Sequence, residues 1–384
     1  MKLSIALLFG ILLSCTYPSW TQAPNNDQPQ KVHSIVVVQY DYDWYNQQHA
    51  LWKKALEKQP NNPDGWLSFY TASRMAKILA PDTPKREEWM QEMDRIVEAM
   101  KPAIPNTYEY HFIQGYHELD HLKQMPHIFK AYEMNPERPD VYDDLVTYYE
   151  LTRDKKKLKE IATKWKASGD YSPTVMHWNY NMLVSTAPNS ILVTYGDNDT
   201  YPAWLLQQAD NIRPDVQVIN INLLQRKDYR DLLFKELNIP LLENPEDSKA
   251  VINHLIQHKG SRPLYTSMSV PYKKWGLECK LYNVGLALLY GESEEQTLSY
   301  LVNNYENNLL LDHLKCSIYP EAYPHAHDWF KKLYVPGFLL LHQHYALTNN
   351  RRKQEEVKSL LLKITQDWPE KTEIITKLQN QEGK

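Results

Sequence analysis

The chain changes its period once, near Pro188, and that change limits the folds open to it. From about Ser34 to about Thr186, apolar residues recur at helical spacing and proline punctuates them. Just beyond, Ile191-Leu192-Val193-Thr194-Tyr195 is a short, partly β-branched run that reads as a buried strand. A chain that packs helix on helix and then turns to strands needs separate cores. Its 384 residues are enough for more than one.

After the first strand comes Gly196-Asp197-Asn198-Asp199-Thr200, then helical spacing from Tyr201 to Ala209. Asp215 to Ile221 reads as a second strand, Asp228 to Leu237 as a helix and Pro263 to Met268 as a third strand. Gly276 to Asn283 is a candidate fourth. This alternation predicts a small parallel or mixed sheet with helical crossovers. From Glu294 onward the chain reads as helical again. Trp329–Leu347 and Arg351–Trp368 form a hairpin that Pro369 stops. The expected fold class is α plus α/β: helical hairpins over 34–187, an α/β domain over 188–292 and a C-terminal helical region over 293–384.

Within the first region one spacing recurs. Ala55 is followed by Pro60 and Trp66, and Ala131 by Pro136 and Tyr142, with Phe69 and Leu145 three residues beyond each aromatic. A small residue lets two helices approach, and proline ends one helix and orients the next. These positions resemble a degenerate tetratricopeptide pattern, which implies stacked hairpins with a concave face for a peptide or protein.

The N-terminus implies export. Lys2 precedes the apolar run Leu3–Leu13, which is too short to span a bilayer. The run ends in Leu12-Leu13-Ser14-Cys15, which resembles the bacterial lipobox. Residues 1–15 are therefore expected to be a lipoprotein-type signal, with Cys15 as the lipidated residue. A secretory signal cleaved later, after Ala23, is the other reading. The polar, Pro-containing stretch 16–33 reads as a flexible tether. The expected location is the cell envelope, lipid-anchored in the periplasm or at the outer-membrane surface. Of the remaining cysteines, Cys279 and Cys316 either pair or stay free. A net charge of −4 gives no reason to expect nucleic acid as a partner.

Ile191 to Leu224 carries the string Gly196-Asp197-Asn198-Asp199-Thr200-Tyr201-Pro202 and then Ile212-Arg213-Pro214-Asp215-Val216. It resembles the soluble extracytoplasmic tail of bacterial membrane proteins that look like protein O-mannosyltransferases in their membrane part. Arg262 to Tyr265 and Gly276 to Tyr282 resemble later strands of that tail. This chain lacks the multi-helix membrane part, so the resemblance carries over the tail's architecture, and any glycosyl transfer housed in the membrane part does not carry over.

The Gly196–Thr200 turn is the first candidate site. Loops beyond the carboxyl ends of strands bind ligands in α/β sheets. Gly196, Asp197, Asn198, Asp199 and Thr200 offer oxygen ligands to a divalent cation or hydrogen bonds to sugar hydroxyls. The same residues suit helix capping, with Pro202 in the first turn. A second candidate is His117-Glu118-Leu119-Asp120-His121, with His127 beyond it, at zinc-peptidase spacing. Gln124 stands where metzincins have glycine, and the repeat register puts Glu118–Asp120 in a turn. His325 and His327, among Tyr and Pro residues, read as a loop. The basic run Arg153–Lys159 reads as a solvated helix face, and Tyr142, Tyr148 and Tyr149 as repeat packing.

The sequence discloses no reaction. It reads as an interaction or assembly module with a protein or peptide partner in the envelope, plus a small-ligand or sugar site at Asp197–Thr200. The alternatives are a zinc-dependent peptidase and a glycan-processing enzyme at the Asp197 turn.

Overall fold

Helix boundaries follow the capping side chains and prolines that the sequence carries. The computed structural model describes residues 27–34, 37–118, 120–277, 280–291, 294–316 and 329–382. The expected signal peptide with Cys15, as well as Cys279, His325 and His327, lie outside the described residues. The described chain is mostly helical with one small mixed sheet and C-terminal helices. It divides into two compact units, Tyr17–Asp170 and Tyr171–Lys384.

The first unit is built from helices α1 (Tyr42–Lys58), α2 (Pro63–Ile78), α3 (Thr83–Ala103), α4 (Tyr108–His117), α5 (Met125–Met134), α6 (Tyr142–Leu151) and α7 (Lys155–Ser168). Asp41, Asn62, Asp82, Thr107 and Asp154 each cap the helix that follows by accepting a backbone N–H from it. Successive helices pack as neighbours, α1 on α2, α4 on α5 and α6 on α7. The spacing noted above has one structural meaning at both sites. Trp66 Nε1 donates to the Pro60 carbonyl at 2.7 Å, and the Tyr142 hydroxyl donates to the Pro136 carbonyl at 2.7 Å. Ala131 is fully buried, and the α4–α5 approach also depends on Gly115. A Cβ there would lie 2.5 Å from Ile128 Cδ1. The end of the segment expected to be a flexible tether is packed instead. Val32 is buried in a cluster with Trp44, Tyr45, Met75 and Trp89. Its neighbour Gln30 accepts from Trp52 Nε1 at 2.7 Å, and the Gln30 N–H donates to Gln48 Oε1 at 2.8 Å.

The second unit opens with α8 (Pro173–Val184), capped by Ser172. The change of period at Pro188 therefore falls inside this unit. Strands β1 (Ile191–Thr194), β2 (Gln217–Asn220), β3 (Leu264–Ser267), β4 (Leu281–Asn283) and β5 (Ala287–Tyr290) form one sheet in the order β2-β1-β3-β5-β4. β1 pairs in parallel with both β2 and β3, and β5 runs antiparallel to β3 and β4. Helix α9 (Asp197–Asp210) connects β1 to β2. Helices α10 (Lys227–Leu237) and α11 (Ser248–His258) connect β2 to β3. β1 and β3 are buried along their whole length, as their apolar composition requires.

The fourth strand is shorter than the sequence suggests. Gly276 lies in a turn at φ +70°, and only Leu281–Asn283 pair. The hairpin to β5 was not anticipated. Its turn needs Gly285, whose φ is +139° and whose missing Cβ leaves room for Ser185 Oγ. Ser185 Oγ accepts the Leu286 N–H at 3.1 Å, so the end of α8 and the hairpin brace each other. Helices α12 (Glu294–Asn303), α13 (Asp312–Lys315), α14 (Trp329–Lys332), α15 (Val335–Leu347), α16 (Arg351–Ile364) and α17 (Lys371–Glu382) complete the unit. The expected helix Trp329–Leu347 is two helices, with Pro336 in the first turn of the second. Cys316 is exposed and free.

Candidate functional site

The parallel strands end in short polar residues, Thr194 on β1, Asn220 on β2 and Ser267 on β3, and all three are buried. The connection from β1 runs to β2 on one side, and the next passes to β3 on the other. β1 and β3 therefore flank the point where the connections diverge, the place where ligands sit in open α/β sheets. The Gly196–Thr200 turn stands at this edge, at the N-terminus of α9.

Its five residues split into two sets. Asp199 and Thr200 are buried, whereas Asp197 is exposed and Gly196 and Asn198 are half-buried. Asp199 Oδ1 accepts the Gly196 N–H at 2.7 Å, and its Oδ2 accepts the Tyr195 N–H at 3.0 Å. The Ser269 hydroxyl donates to Oδ2, and Ser267 Oγ and Ser269 Oγ stand 2.8 Å apart. Burial pushes the Asp199 carboxyl pKa up, against the pull of the Ser269, Ser267, Tyr195 and Gly196 donors. Asp199 thus returns from the first turn of α9 to cap the backbone that enters it, and it fastens that corner to the loop after β3. Thr200 Oγ1 lies 2.8 Å from Thr194 Oγ1 and accepts from Asn220 Nδ2 at 3.0 Å. Asn198 offers its carbonyl to Asn179 Nδ2 at 2.8 Å.

Both oxygens of Asp199 are therefore taken by N–H and O–H donors, and a cation would have to displace them. Among the described residues no group of three or more His, Cys, Asp or Glu is placed to hold a metal ion. What the corner presents outward is Asp197, with Tyr195, which is 40% exposed, and the half-buried Gly196 and Asn198. Exposed hydrogen-bonding groups beside a helix N-terminus suit a small polar ligand such as a sugar.

Sequence reasoning missed the partners of this corner, Ser267, Ser269, Asn220 and Asn179. The available signal was the polar residue closing each parallel strand. It also missed Arg213. That residue donates to the carbonyls of Thr186 and Ala187 at 2.7 and 2.9 Å and to Leu183 O at 3.2 Å. Its hydrogen bonds to Asp215 hold that carboxyl down at about 2. The Ile212–Val216 string therefore ties the end of α8 to the start of β2.

The histidines of the zinc-like motif have separate partners. Helix α4 ends at His117, and Glu118 is its C-cap, so the motif does not lie along one helical face. His117 Nδ1 faces the Tyr70 hydroxyl at 3.0 Å, and its Nε2 faces Asp94 Oδ1 at 3.0 Å. His121 Nδ1 is 3.4 Å from Gln124 Nε2, and His127 Nδ1 is 3.0 Å from His111 Nδ1. His111 was not foreseen as the neighbour of His127. It lies two turns before the end of α4, outside any motif.

The family model described as TMEM260-associated domain 2 matches residues 175–239. That stretch holds most of α8, then β1, the Gly196–Thr200 corner, α9, β2 and α10. It also contains both strings on which the sequence resemblance rests. No curated protein matches the chain.

Proposed function

We propose that this protein is exported, is held to an envelope membrane by a lipid on Cys15, and acts as an interaction or assembly module. In this reading the helical unit takes a protein or peptide partner. The outward side of the Gly196–Thr200 corner takes a small polar ligand, a sugar being the best fit.

One observation carries the reading. The hydrogen bonds Trp66–Pro60 and Tyr142–Pro136 have the same length and sequence offset, which supports stacked hairpins of the kind that serve as docking scaffolds. The Leu3–Leu13 run before Cys15 supports the anchor. The resemblance to an extracytoplasmic tail supports the location of the α/β unit.

The anchor is tested by palmitate labelling and membrane fractionation of the native chain and Cys15→Ser. Label and membrane retention that both survive the substitution would end the lipoprotein reading. The interaction role is tested by photo-crosslinkers placed one at a time on α2, α4 and α6 in anchored protein. A discrete crosslinked product is expected from several of these positions; crosslinks absent from all of them would count against the reading. The corner is tested with Asp197→Ala, which leaves the Asp199 brace intact. Sugar binding on a glycan array that is the same with and without Asp197 would remove the ligand half.

A further inference from the structure

We propose that Arg74, Lys77 and Tyr116 form a docking point for a carboxylate on an acidic segment of a partner protein. The proposal rests on reading the helical unit as a docking module, and it names the chemistry of the partner.

Several cations of this unit are matched by acids. Arg138 pairs with Glu109, Arg153 with Glu150, Arg95 with Glu92 and Lys85 with Glu88. Arg74, Lys77 and Arg86 form no ion pair among the described residues. Arg74 on α2 is half-buried, and its Cζ lies 4.1 Å from the centre of the Tyr116 ring on α4. Its Nε is buried without a hydrogen-bond partner. A guanidinium stacked on a ring is held in plane and presents a fixed fork, the geometry that a carboxylate engages with two hydrogen bonds.

The charges acting on Lys77 are cations, although Asp143 and Asp144 act on Tyr116. The nearby Asp94 is engaged by His117, which also faces Tyr70. With Asp94 accepting from Nε2–H, His117 Nδ1 is the acceptor and Tyr70 the donor. The Asp94 side chain is thereby directed at His117 and not at Arg74. Lys77 has its pKa lowered by burial and then by the charges of Arg74 and Arg86. Like charges thus crowd there, and an anion would relieve them. Burial pushes the Tyr116 hydroxyl up to about 12, so it stays protonated at neutral pH. Ile78, next to Lys77, is 43% exposed and gives an apolar neighbour to the cations. Cations beside an exposed aliphatic side chain suit a peptide of mixed acidic and apolar residues better than a bare inorganic anion.

The test uses the full chain and a fluorescein-labelled peptide of alternating Glu and Leu with an amidated C-terminus, read by anisotropy. A Gln-for-Glu peptide and inorganic phosphate serve as competitors. The Glu peptide is expected to bind, and the Gln peptide to compete about 10-fold more weakly. Arg74→Gln should weaken binding by about 10-fold. Arg74→Lys keeps the charge but loses the fork, and should weaken it by about 3-fold with thermal unfolding unchanged. The proposal is overturned if the native chain does not bind at millimolar peptide, or if Arg74→Gln binds as the native chain does. Phosphate competing as strongly as the Glu peptide would also overturn it, because the site would then be a simple anion site. Crosslinks from α4 and α6 that persist while the peptide fails would separate this failure from failure of the docking role itself.

Discussion

Asp199 Oδ1 accepts the backbone N–H of Gly196 at 2.7 Å, so the acid that looks most like a ligand in the sequence is the one that builds the corner. Its other oxygen holds Tyr195 N–H and Ser269 Oγ. A single buried side chain thereby fixes the end of β1, the start of α9 and the loop after β3. Specificity for any ligand falls to Asp197 and its exposed neighbours.

Replacing Asp199 with Ala strands two backbone N–H groups and a hydroxyl in a half-buried place. The expected loss is about 3 kcal/mol in urea unfolding, from the cost of unmet donors. Asp199→Asn gives a finer test through pH. Burial raises the folded-state pKa of this acid above its ordinary 3.8, so the folded state binds the proton more tightly. Its contribution is complete below the ordinary value and fades as pH rises through the folded one. Asn does not ionise. The stability of the native chain minus that of Asp199→Asn should be larger at pH 4.5 than at pH 8. An equal or reversed difference would show that the carboxylate form is the preferred one.

The Tyr142–Pro136 bond allows a clean deletion, because Phe keeps the ring. Tyr142 is 1% exposed and its hydroxyl has the proline carbonyl at 2.7 Å. Tyr142→Phe should cost about 1 kcal/mol with an unchanged denaturant slope. A neutral substitution would mean that the repeated spacing reflects ring packing alone.

Much of the architecture was legible because it is local. β1 is a continuous apolar run between turn residues, and the proline spacings at Pro60 and Pro136 mark where helices end. The β4–β5 hairpin was not legible, because its turn depends on Ser185, which lies 101 residues before Leu286. The helix Ser248–His258 was not anticipated, although Asp247 caps it by accepting from Ala250 N–H at 2.9 Å. The candidate corner was legible as a turn and a helix start. Its burial was not, since Ser267 and Ser269 come from the end of β3 and the loop after it, about 70 residues on. The break after His117 was legible, because the repeat register puts Glu118–Asp120 in a turn, and the helix stops at His117.

Gly115 on α4 packs directly against Ile128 on α5. A Cβ there would meet Ile128 Cδ1 at 2.5 Å and Cγ1 at 2.7 Å, both on a fully buried side chain. Gly115→Ala should therefore destabilise the helical unit by about 2 kcal/mol, despite the better helix propensity of Ala. Adding Ile128→Ala makes room, so the double variant should lose less than the sum of the two single changes. Simple additivity in thermal or urea unfolding would show that the helices do not meet at these two residues.

His49 should make the helical unit sensitive to acid. Its ring lies between Phe69 and Trp89, its Nδ1 is 3.0 Å from Ser73 Oγ, and burial holds its pKa down at about 4 against the opposing pull of Glu92. A base whose folded pKa is depressed is favoured neutral in the fold. Its contribution is whole above the ordinary value of 6.5 and is lost as pH falls from there towards about 4. The side chain is 13% exposed, so solvent screening is modest and the loss over this window is about 3 kcal/mol. His49→Gln can still reach Ser73 but takes up no proton. Urea unfolding of the native chain should weaken steeply between pH 6.5 and 4, and the variant less so. Some slope should persist in the variant, because burial also lowers the pKa of His111 and His127. Equal slopes for the two proteins would place the acid sensitivity on that pair instead.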